Sequence, residues 1–182
     1  MNNLEAKELI RKKALPFKEH AMQLIDAFWE VENNIDFLPN DTKSDSYQVE
    51  HITIVDGNLE IEGLLEDAVN DHSLLIVLGD LSVDRAIIMS EVIVTGNFII
   101  REIAVFDSLG DYTLNVGGDL IAKGYIESDH HENIKGKCEM EKAYSRGEDP
   151  NGILVPECIS EGEYHNFVNI AKRIRDKQAV FV

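Results

Sequence analysis

Two cysteines and no Cys-x-x-Cys pair leave this chain without a disulfide framework or a thiolate zinc site. Cys138 and Cys158 are read as unpaired, reduced thiols, the usual state in a cytoplasm. Long apolar runs are missing too. The longest, Ala86 to Ile100, is too short to span a bilayer and is broken by Glu91 and Asn97. Asn2, Asn3, Glu5 and Glu8 interrupt any apolar core of a signal peptide, so the cytoplasm is the expected address. The chain also lacks HExxH, GxSxG and any Cys–His arrangement. Gly117-Gly118-Asp119 has neither the Lys nor the Ser/Thr of a phosphate loop. No catalytic residue, cofactor or metal is therefore expected, and the chain is read as a binding protein rather than an enzyme.

Positive charge is scarce where it matters. Residues 21–134 hold only Lys43, Arg85, Arg101 and Lys123 against 23 Asp and Glu, so this stretch carries the whole excess of a chain with net charge −17. Such a field repels nucleic acid and anionic membrane and attracts basic proteins. The blander use of the same charge is solubility.

What is present is a repeat. Ile52 to Ile61, Leu75 to Val83, Val92 to Ile100 and Leu114 to Ala122 each alternate apolar residues around a Gly followed by Asn or Asp. The corners Gly57, Gly79, Gly96 and Gly118 recur after 22, 17 and 22 residues. Apolar residues at period two describe strands with one buried face, and a Gly-Asn/Asp corner permits positive φ and local side-chain bonding. One corner type at near-constant spacing predicts a short parallel β-solenoid rather than an antiparallel meander. Leu59, Leu81, Phe98 and Leu120, each two residues past its corner glycine, should stack in the interior.

The expected domain is single: helices over 1–35, coils over 50–132, an irregular stretch over 133–159 and a helix over 160–178. Leu4 to Ala14 and Pro16 to Val31 have helical spacing, and Ser160 to Glu163 has the spacing of a capping box. These apolar helices are expected to cover the solenoid ends. Asp36 to Ser46 reads as a surface loop. The fold class is mainly β, a short solenoid with helices at both termini.

The candidate site residues are acidic. Asp67 and Asp71 bracket one insertion, and Asp107 and Asp111 bracket another at Ser108 to Gly110. Asp129-His130-His131-Glu132 is the densest run of ligand-type residues, yet neighbours on a strand point apart, so it reads as a solvated coil end rather than a metal site. Asp67, Asp71, Asp107, Asp111, Asp129 and Glu132 are the residues expected to meet a basic partner. The basic run Lys172, Arg173, Arg175 and Lys177 suits a helix carboxyl end.

Val94 to Phe98 and Val116 to Leu120 resemble the rungs of bactofilin-type polymer-forming proteins, which are parallel β-helices. The longer run Leu75 to His131 is similar to small bacterial β-solenoid proteins encoded near polymorphic toxins, where they are thought to act as immunity proteins. The second resemblance implies an immunity-type protein that neutralises a toxin domain by direct binding. The acidic charge makes a basic domain, such as a nuclease, the expected target, and the covering helices predict a monomer or small oligomer. The first implies a structural protein that assembles end to end.

Overall fold

The computed structural model describes residues 1–32, 34–67, 73–108, 110–160 and 164–182. Its centre is a parallel β-solenoid in which each coil gives one short strand to a first sheet and one long strand to a second. The first sheet runs β1 (Ile35–Leu38), β3 (Ile52–Val55), β5 (Leu74–Val77), β7 (Glu91–Val94), β9 (Thr113–Val116) and β11 (His131–Ile134). The second runs β2 (Thr42–Val49), β4 (Leu59–Asp67), β6 (Leu81–Ile88), β8 (Phe98–Asp107), β10 (Leu120–Ser128) and β12 (Cys138–Ser145). Every pairing within these two sheets is parallel.

The predicted interior stack is present. Leu59, Leu81, Phe98 and Leu120 are direct register neighbours, none more than 1% exposed. Val55, Val77, Val94 and Val116 form a matching row in the first sheet and share the same apolar cluster. Burying two such rows face to face removes most of their apolar area from water, which is the main force holding the coils closed.

The corners add a second device. Side-chain Oδ1 atoms of Asn40, Asn58, Asp80, Asn97 and Asp119 each accept the backbone N–H of the residue one coil further on, at 2.7–2.9 Å. This ladder meets donors that the solenoid would otherwise leave open at each turn. Replacing Asn97 by alanine removes the acceptor for the Asp119 N–H and should cost about 1 kcal/mol. A urea midpoint equal to wild type would show that water replaces the rung.

The coils extend beyond the expected 50–132, from Ile35 to Ser145. The stretch Asp36 to Ser46, expected as a loop, supplies β1 and most of β2, and the stretch 133–159, expected as irregular, opens with part of β11 and all of β12. Both end coils escape a search for Gly-Asn/Asp. Asn40 follows Pro39, and Gly136 is followed by Lys137.

The terminal helices α1 (Asn3–Lys13), α2 (Lys18–Glu32) and α3 (Phe167–Arg175) cover the outer faces of the sheets rather than their ends. Ala6, Ile10, Ala21, Ile25 and Phe28 pack on the outward residues Ile52, Ile54, Leu74, Ile76 and Ile93 of the first sheet. Ile170, Ala171 and Ile174 pack on Ile87, Val105, Ile126 and Tyr144 of the second. α1 opens on a capping box between Asn2 and Glu5. The capping box expected at Ser160 is not what starts α3. Ser160 lies in a two-stranded antiparallel ribbon, β13 (Ile159–Ser160) with β14 (Tyr164–His165), and Asn166 caps the helix by accepting the Asn169 N–H at 3.1 Å. Glu163 lies outside the described residues. Lys172 and Arg175 near the end of α3 pair with Asp176 and Glu66. Both cysteines are free thiols, Cys138 exposed and Cys158 buried. Among the described residues no helix is long and apolar enough to cross a membrane.

Candidate partner-binding face

The expected acidic residues that lie among the described ones, Asp67, Asp107, Asp111, Asp129 and Glu132, fall near one solenoid corner but do not form a common surface. Asp67 is only 3% exposed. Its Oδ2 accepts the N–H of Met89 and of Ser90 and the Ser90 hydroxyl, at 2.6–2.7 Å, while Oδ1 has no partner among the described residues. Burial pushes its pKa up to about 6. The reading of Asp67 as a presented carboxylate is corrected: it ties the end of β4 to the turn one coil on. Asp71 lies outside the described residues. Asp107 is half-buried and Asp111 exposed. Asp129 takes a left-handed backbone (φ 52°) and is neutralised by Arg146. Glu132 occupies an inward-facing register position beside Leu114 and accepts the buried Tyr125 hydroxyl.

The Asp129 to Glu132 run separates as the strand period requires. His130 is buried, with Nε2 3.0 Å from the Ser90 carbonyl oxygen and its ring edge-on to Phe106, and burial lowers its pKa. His131 is exposed. No group of three His, Cys, Asp or Glu side chains among the described residues could hold a metal ion. A second buried acid is Glu91, which the sequence shows only as a break in an apolar run. It accepts hydrogen bonds from Asn115 Nδ2 (3.0 Å) and the Thr113 N–H (2.9 Å) and lies 3.0 Å from His20 Nε2 of α2, which joins helix to sheet.

One outward face carries no helix. It is the first half of each strand in the second sheet, where Lys43, Glu60, Ser82, Ile99, Ile121 and Glu139 form a single register row. Ile99 and Ile121 stand at its centre, and Ile121 is 38% exposed. On one side of them is a cleft of about 390 Å³ walled by Asp41, Glu60 and Asp80. On the other is a cleft of about 400 Å³ walled by Arg101, Glu139 and Glu141. Arg101 is committed within the fold: it binds Asp84 (2.6 Å), the Ser82 hydroxyl (2.6 Å) and the Ile61 carbonyl (2.8 Å). Lys43 pairs with Glu60. Asp41, Asp80, Glu139 and Glu141 make no ion pair among the described residues, and Lys123 also lines the second cleft, so carboxylates outnumber cations around the apolar centre.

The sequence held a signal for this face. Outward positions of a solvated strand are normally polar, and isoleucine at two neighbouring outward positions departs from that pattern. No family model, curated protein or solved structure matches this chain.

Proposed function

We propose that the chain is a protein-binding module that docks a basic partner on the open face of the second sheet. The observation that carries this reading is the pairing of half-buried Ile99 and exposed Ile121 with a mainly acidic rim, on an outward face that the helices leave bare among the described residues. An apolar centre inside a charged rim is the usual anatomy of a protein interface, and charge of one sign raises the association rate with an opposite partner. On the resemblance to solenoid immunity proteins, the partner we propose is a basic toxin domain.

The test is differential capture from native extract. An Ile121→Asp/Glu139→Lys variant should retain roughly tenfold less of the partner than wild type, because a buried apolar anchor and a rim charge are both lost. Asp111→Lys, on the distant corner, should retain it. Equal capture by wild type and the face variant would sink this docking reading. The captured protein, expressed alone, should arrest growth and be relieved by the chain. A harmless partner would remove the immunity role and leave the docking face standing.

Assembly of coils end to end is a second reading, and one observation favours it. No strand pairs with the outer edges of β1, β2, β11 or β12 among the described residues. Against it, the ladder ends at Lys137, whose side chain can donate but not accept, so a further coil would find its corner N–H unmet. Sedimentation mass that stays constant with concentration would rule out growth.

A further inference from the structure

Beyond the open face, where the second sheet meets α3 and the segment after it, lies a cleft of about 370 Å³. Its charge is the reverse of the chain's. Arg85, Lys123, Lys142 and Lys177 line it, against Glu102 alone. The buried Arg85 (6% exposed) is already engaged: one Nη donates to the Ile174 carbonyl at 2.7 Å, and Nε lies 3.4 Å from Glu102. Lys142 Nζ donates to the Val182 carbonyl oxygen at 2.7 Å. Lys123 and Lys177 remain. Both are exposed, and neither makes an ion pair among the described residues, in a protein of net charge −17.

The rest of the wall is apolar. Ile103, Val180 and the Phe181 ring line the cleft, and Gly124 lets that ring approach, since a Cβ there would lie 3.1 Å from a Phe181 ring carbon and 3.0 Å from the Glu102 carbonyl oxygen. Lys177 has φ 56°, the left-handed position just past a helix end that favours glycine. The Gln178 N–H closes the helix end on the Arg173 carbonyl at 2.8 Å, a turn that glycine would fill without strain, and Lys177 lines the cleft from it.

We propose that this cleft binds a small organic anion, a carboxylate, sulfonate or phosphate on an apolar body. The anionic head sits between Lys123 and Lys177, and the body lies against Ile103, Val180 and Phe181. The volume is within the range of small-molecule sites, which combine apolar walls with a few placed charges.

Anilinonaphthalene sulfonate is the probe, used with the full chain and followed by fluorescence. One saturable site per chain is expected, weakened by salt. A Lys123→Gln/Lys177→Gly variant should bind roughly tenfold more weakly, since each charge-assisted contact to the head is lost. Its thermal midpoint should stay level or rise, because glycine relieves the left-handed position. The uncharged analogue N-phenylnaphthylamine should bind far less well than the sulfonate. Absence of a saturable site on the folded chain, equal affinity in the variant, or equal affinity for the uncharged analogue would each overturn the proposal.

Discussion

Replacing Gly96 with alanine is expected to remove on the order of 3–5 kcal/mol of stability, while Gly110→Ala removes only about 1 kcal/mol. The two glycines differ in kind. At Gly96 the backbone is not left-handed, but an added Cβ would lie 2.2 Å from Asp80 Oδ1, 2.8 Å from the Gly79 carbonyl oxygen and 2.9 Å from its carbon. The Asp80 side chain cannot swing aside cheaply, because it holds the Asn97 N–H at 2.7 Å. Lifting the backbone instead breaks the 2.9 Å bond from the Gly96 N–H to the Gly79 carbonyl. Either route adds an unmet backbone donor to a steric cost. Gly110 has φ 87° and nothing within 4 Å of its missing Cβ, so only the left-handed backbone resists substitution. Urea denaturation of both variants, compared at common slope, decides the matter. Equal losses would mean that the corner glycines are not there for close approach.

That contrast bears on what could be read in advance. The corners Gly57, Gly79, Gly96 and Gly118 stood out by spacing, and their coils are where the spacing places them. The reason first assigned to them, positive φ, holds only for Gly57 at 141°. The others are needed because the Asn or Asp of the coil below fills the space of a side chain, a contact between residues 16 to 21 positions apart along the chain. Interior rows were legible because both neighbours of a middle coil are apolar coils. At the ends that pattern fades. Thr42 and Ser44 sit in register with Leu59 and Ile61, and Cys138 with Leu120, so the alternation that identifies a strand is lost where one side of the coil faces water. Asp67 misled for a related reason. An acid beside an insertion reads as solvated, but its partners are the amides and hydroxyl of Met89 and Ser90, supplied by the next coil. The open face could have been inferred from Ile99 and Ile121. Finding that it lacked a cover required knowing which faces the helices occupy.

Asp67 also sets the second large effect. Its carboxyl, buried beside Ser90, titrates in the folded chain near 6, against a reference of 3.8. Between those values the native state holds a proton that the unfolded chain has released. Stability therefore falls as pH rises from about 4 to about 6, and the full cost of burying the charge, on the order of 3 kcal/mol, persists above that window. Below the unfolded value both states are protonated and the effect vanishes. Glu91, also raised by burial, acts in the same direction, whereas His130, lowered by burial, costs stability as pH falls through its unfolded value. Whole-protein profiles mix these groups, so the comparison must be between wild type and Asp67→Asn. The amide oxygen can take over the three hydrogen bonds to Oδ2, and the amide nitrogen falls where Oδ1 has no partner among the described residues. The variant should gain on wild type by about 2 kcal/mol between pH 4 and pH 7, read from denaturation midpoints at each pH. A gap that does not change with pH would mean that Asp67 keeps an ordinary carboxylate pKa. The turn it ties would then be open to water in solution.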